Sequence, residues 1–170
     1  MSARAAWRLE TLGFTQVYRY EPGKSDWLAN GMPVEGKRAT VPRAGEVARR
    51  DVPTCQLGER VEDVRERVRA AGRDICLVVT DGSVVLGRLG KEVLDGDGAA
   101  VVDDVMEPGP TTIRPDEPLE SLVPRLQQRR VQSIVVTLPS GRLIGVVFRD
   151  DGARHLEEVR AGDGLRDQAS

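Results

Sequence analysis

The chain has 170 residues, 39% of them hydrophobic, which is enough for one domain or two small ones to bury a core without metal or disulfide help. Lys plus Arg number 25 against 27 Asp plus Glu, and the resulting net charge of −2 gives no overall field to hold nucleic acid or an anionic membrane surface. Cys55 and Cys76 lie in apolar strand-like runs without ligand spacing and read as reduced, buried thiols, while no run approaches the roughly eighteen apolar residues of a membrane span and no signal-peptide core is present, so a cytoplasmic location is expected.

In chain order, Ala3 to Leu12 carries Ala6, Leu9 and Leu12 at helical spacing between charged residues, predicting a short amphipathic helix stopped by Gly13. A brief strand fits Gln16 to Tyr20. Ser25 to Asn30 reads as a second helix, with Ser25 as N-cap and Gly31 just past its end. Ser2-Ala3-Arg4-Ala5-Ala6, Leu12-Gly13-Phe14-Thr15-Gln16-Val17-Tyr18, and then Gly23, Trp27, Gly31, Pro33 and Val34 resemble the C-terminal third of a rhodanese domain over residues 1–36. That resemblance implies a short, incomplete α/β segment. The catalytic cysteine loop of the family would fall before Met1, and neither cysteine lies in such a loop, so sulfur transfer is not expected of this chain. Two alternatives stay open: a remnant without activity, or the regulatory part of a rhodanese-type sulfurtransferase whose catalytic portion lies upstream.

Residues 37–46, with Lys37, Arg38, Pro42 and Arg43, show no apolar period and are expected to form a solvated linker. From Val47 the sequence repeats at a constant offset, with one copy assigned to residues 47–102 and the other to 103–158. Val47 to Cys55 lies over Val105 to Ile113. Val61, Val64 and Val68 lie over Leu119, Leu122 and Leu126, an apolar helical stripe in each copy. Two short strands follow in each, Cys76 to Thr80 with Val84 to Arg88, and Ser133 to Leu138 with Arg142 to Val147, turned at Asp81-Gly82 and Pro139-Ser140-Gly141. A helix closes each copy, from about Lys91 and about Asp151. The unit is strand, helix, strand, strand, helix, and residues 159–170 are polar without period and expected to be disordered.

Val105-Met106, Thr112-Ile113-Arg114-Pro115-Asp116-Glu117-Pro118-Leu119, Arg129-Arg130-Val131 and Gly141-Arg142-Leu143-Ile144-Gly145-Val146-Val147 resemble a CBS (cystathionine-β-synthase-type) domain, and the register extends the resemblance to the first copy. The implied fold class is α+β, two βαββα repeats packed face to face as a CBS pair, or Bateman module, which dimerises. The family binds adenine nucleotides or adenosyl ligands in clefts between the copies, through a glycine, a hydroxyl three residues on and an aspartate three further. In copy two these positions are Gly145, Phe148 and Asp151; in copy one, Gly87, Gly90 and Val93.

The resemblance therefore implies an adenosyl site around Asp151, with Thr112 near its floor, Ile134 and Val135 as apolar walls, Phe148 able to stack on a base, and Arg149, Arg154 or Arg88 able to meet phosphate. The ligand would be AMP, ADP, ATP or S-adenosylmethionine. Against it stand plainer roles: Asp151 as a helix-opening carboxylate, Phe148 as a core or interface aromatic. His155, the single histidine, reads as a surface residue. No paired acid and base, nucleophile with a nearby histidine, phosphate loop or metal cluster is legible, so a non-enzymatic regulatory module is expected. A ligand-free interaction or dimerisation module, with Phe148 filling the cleft, is a further alternative.

Overall fold

The computed structural model describes residues 3–18, 20, 22–30, 32–35 and 41–167. Residues 37–40 of the expected linker, Gly31 and the last residues 168–170 lie outside the described residues.

Each repeat builds one small sheet. The first contains β1 (Thr54–Cys55), β2 (Cys76–Val79), β3 (Val85–Leu89) and β4 (Glu107–Pro108) in that order. The second contains β5 (Thr112–Ile113), β6 (Ser133–Thr137) and β7 (Leu143–Phe148). In both, the first strand pairs parallel with the second and the second antiparallel with the third. The parallel pairs are bridged by helices, α4 (Val61–Ala70) and α7 (Leu119–Gln128), as a parallel connection requires. The stripes on those helices go where their spacing sends them: Val61, Val64, Val68, Leu119, Leu122 and Leu126 are all buried.

The copies are related as the sequence offset implies. Val84 and Arg142, 58 positions apart, bridge each other: the Leu143 N–H donates to the Ser83 carbonyl at 2.8 Å and the Val85 N–H to Gly141 at 3.1 Å. Between the sheets, Val52, Leu77, Val79, Val135 and Val146 form a shared core. A two-stranded pair with one apolar face is marginal in water, and this core is what completes both sheets.

The segments leading into the two repeats cross over. The turn α3 (Ala44–Val47) leads into the first repeat, yet Ala44 is fully buried with Leu119, Leu122 and Leu156 of the second. Arg49 and Val146 exchange N–H···O bonds at 2.8 and 2.9 Å. Equivalently, α6 (Val102–Val105) buries Val102 in the first repeat, and Glu107 pairs with Arg88 in β4–β3. The expected linker is thus not solvated in its described part. Arg43 is buried and donates to the Asp116 carbonyl at 2.8 Å, because the backbone here docks on the loop before α7.

Three further expectations need correction. No strand forms among the described residues of 16–20: with no sheet edge to pair, a strand propensity has nothing to bond to, and Tyr18 is 80% exposed. The second helix, α2, runs Gly23–Ala29, and Ser25 lies inside it rather than capping it, its hydroxyl reaching Asp116 Oδ1 at 3.4 Å. The expected disordered tail is helical as far as Asp167, continuing α8 (Arg149–Asp167), since extending a formed helix fixes one residue per new bond whereas nucleating one fixes several. The helix that closes the first repeat is only the short turn α5 (Lys91–Leu94), with Gly96 and Gly98 between it and α6.

The N-terminal segment docks on the repeats through α2 and the residues beside it. Ala29 is buried, Arg50 donates to its carbonyl, and Asp26, also buried, accepts from Tyr20 at 2.5 Å and faces Arg142 at 3.4 Å. Helix α1 (Ala3–Thr11) and the chain after it leave Trp7, Leu12 and Phe14 exposed.

Candidate functional site

A cavity of about 600 Å³ opens between the sheets. Ile75 and Leu77 of the first repeat face Ile134, Val135 and Val146 of the second across it, with Val131 and Pro110 completing the apolar wall. Arg88, Arg114, Arg125 and Arg129 surround it with Glu107, Glu117, Thr111, Thr112 and Ser133.

Most of these arginines are already engaged. Arg88 Nε lies 2.6 Å from Glu107 and Arg125 Nη1 lies 3.1 Å from Glu117. Arg114 Nη1 donates to Thr137 Oγ1 at 2.7 Å and to the Leu138 carbonyl at 2.6 Å. Arg129, exposed at the end of α7 and one turn beyond Arg125, makes no ion pair among the described residues. The cavity therefore presents one uncommitted cation and two more held by carboxylates that an incoming anion could displace.

The seven residues expected to form a site are divided. Thr112, Ile134 and Val135 line the cavity; Asp151, Gly145, Phe148 and Arg149 do not. Asp151 opens α8, with one oxygen 2.8 Å from Arg49 Nε and the other held by Arg154. The hydrogen bond from Arg49, with the positive charge of both arginines, keeps its carboxyl below the usual carboxylate range. Arg149 pairs with its neighbour Asp150 at 2.9 Å.

Gly145 is explained by packing. A Cβ there would collide with the Arg49 carbonyl, where the lead-in segment crosses β7. Gly87 meets the same constraint: its Cβ would lie 2.7 Å from Met106 Sδ and 3.0 Å from the Glu107 oxygen.

Phe148 packs on the core between the sheets. The guanidinium of Arg73 lies over its ring, 5.5 Å from the centroid, and donates to Asp51 at 2.6 Å. That contact was not legible, since Arg73 and Phe148 meet only when the repeats pack. Arg129 and Arg125 were equally missed, although their spacing of four on a helix places them on one face.

Elsewhere the chemistry is sparse. Cys55 and Cys76 are both buried, and their mutual hydrogen bond together with burial pushes the Cys76 thiol up, away from a reactive thiolate. No group of three or more His, Cys, Asp or Glu among the described residues is placed to hold a metal. None of the described helices is long and apolar enough to cross a membrane.

An α+β pair of pseudo-equivalent repeats around an inter-sheet cleft is the arrangement of CBS-pair proteins. Residues 102–158 match the family profile of the CBS domain, so the second repeat is a CBS domain and the two repeats together have the CBS-pair fold. The cytosolic domain of the Mg²⁺ channel MgtE in complex with ATP superposes with a TM-score of 0.59 at 23% identity, over 64% of this chain and 46% of that one. The CBS domains of a transcriptional regulator from Streptococcus pneumoniae superpose at 0.61 with 18% identity, over 67% of this chain and 98% of theirs. CBSX2, a CBS-pair protein from Arabidopsis thaliana, in complex with AMP gives 0.57 and 21% identity over 66% and 92%. The chain spans about half the length of the MgtE domain and of the soluble part of a magnesium transporter. No curated protein sequence matches the chain.

Proposed function

We propose that the chain is a non-enzymatic regulatory module that binds an adenine nucleotide in the cavity between its repeats. The cavity itself carries the reading. Its volume of about 600 Å³ lies within the 300–1,000 Å³ usual for small-molecule sites, and it joins apolar walls to a few convergent polar groups. Leu77, Ile134 and Val135 suit the faces of a base, and Arg129 suits a phosphate. Binding of ATP and of AMP by proteins of the same fold supports the choice of ligand class. S-adenosylmethionine, whose sulfonium is cationic, fits an arginine rim less well.

A ligand at a hundredfold its Kd stabilises the state that binds it by about 2.7 kcal/mol, which a thermal shift resolves. ATP, ADP and AMP are expected to raise Tm, S-adenosylmethionine least, and Arg129→Glu should remove the shift. No shift with any of the four at millimolar concentration would overturn the reading. It carries with it the homodimer that the CBS resemblance implies, for which light scattering should give twice the chain mass.

A further inference from the structure

The repeats meet at the bridge between Val84 and Arg142, so the cavity has a counterpart position, 58 residues away in sequence, on the other side of that bridge. Three positions around the cavity and their counterparts 58 residues away differ together. On the open side Val131 lines the cavity, Gly90 follows its lining residue Arg88 by two positions and Gly109 precedes its lining residue Pro110 by one; on the other side the same positions are Phe148, Asp51 and Arg73. A Cβ on Gly90 or on Gly109 would meet no atom within 4 Å, so the space a side chain would enter there is empty. On the opposite side that space is taken by the Phe148 ring, which packs against the core between the sheets. Arg73 covers the ring and is tied down by Asp51. Asp151 is turned to Arg49 and Arg154 on the same side.

We infer that the chain binds one ligand per molecule, because Phe148 and Arg73, anchored by Asp51, act as a built-in stopper of the second cleft. The stopper copies the chemistry of what it excludes: a flat ring against apolar walls and charge above it. It also explains how the Asp151 corner keeps a carboxylate while the cavity lies elsewhere. The count of ligands rests on the nucleotide reading above; the closure of the second cleft does not.

Calorimetric titration with ATP should give one site per chain. Gly90→Phe with Val131→Arg, which builds the stopper into the open cleft, should abolish binding while leaving Tm and the circular dichroism spectrum unchanged; Gly90 has a φ of −90°, which any residue adopts. Phe148→Gly with Arg73→Val should raise the count to two. A second measurement needs no ligand and no loss of the stopper: Thr112→Cys and Thr54→Cys place a thiol at positions 58 residues apart, the first lining the open cavity and the second at its counterpart in the other repeat, against a background of two buried cysteines. Fluorescein maleimide should label Thr112→Cys at least about tenfold faster if Phe148 and Arg73 shield the counterpart position. Two ATP sites in the unmodified chain, or equal labelling rates, would overturn the inference. Asymmetric labelling without any ATP heat would remove the nucleotide reading and leave the stopper standing.

Discussion

The strand-to-helix corner at Gly87 and the one at Gly145 have the same backbone task and different surroundings. Each glycine faces the lead-in segment of the other repeat, yet Gly145 is pressed against the backbone carbonyl of Arg49, and Gly87 mainly against the movable end of Met106. Their polar positions have meanwhile diverged completely. The glycines follow from how the chain crosses itself, and the residues three and six positions on are the ones free to set cleft chemistry. A glycine in such a motif is therefore weak evidence for a ligand.

That comparison can be broken at several strengths. The two hydrophobic cores come first. Leu122→Ala in the second repeat should cost about 3–4 kcal/mol, and Val64→Ala at the equivalent position about 2 kcal/mol, both residues being fully buried. Urea unfolding with an unchanged m-value would measure both. Gly145→Ala should follow at about 3 kcal/mol and Gly87→Ala at about 1–2 kcal/mol, because a side-chain sulfur can yield where a backbone oxygen cannot. The reverse order for the two glycines would show that the crossings are not equivalent.

The smallest effect expected is electrostatic. Asp151 has its folded pKa held below its unfolded value near 3.9, so its contribution is complete above that pH and is lost as pH falls through the folded value. Asp151→Asn should therefore cost no more than about 1 kcal/mol at neutral pH, Arg49 being 42% exposed, and should flatten the acid limb of the stability curve below about pH 4. The first repeat carries Val93 at this position, and Val93→Ala should leave that limb unchanged.

Within the repeats, what was legible in the sequence was whatever depends on neighbours along the chain. The apolar stripes of α4 and α7 and the paired strands with their glycine turns are set by local period, and they formed close to where they were expected. Which cleft is open could not be read, because Arg73 and Phe148 lie 75 positions apart and meet only through the packing of two sheets. Thr112, Ile134 and Val135 were named, through the resemblance, as floor and apolar walls of an adenosyl site, but the resemblance joined them to Asp151, which belongs to the corner on the other side. The strand expected at 16–20 failed for a related reason: residue preference was present and a partner was not.

The crossing of the lead-in segments has a consequence in time. Arg49 must wait for Val146, 97 positions later, before its backbone can close a pair, and Ala44 waits for α8 before it is covered. At synthesis rates of about 5–20 residues per second, that is roughly 5–20 s during which the first half exists without its covering partner. Neither half can finish alone, and a fragment cut to residues 102–158 would leave the edge of β7 unpaired and the Ala44 niche of the core empty. The smallest unit able to fold is the pair, and its folding rate is governed by long loops rather than by the short strands it is made from.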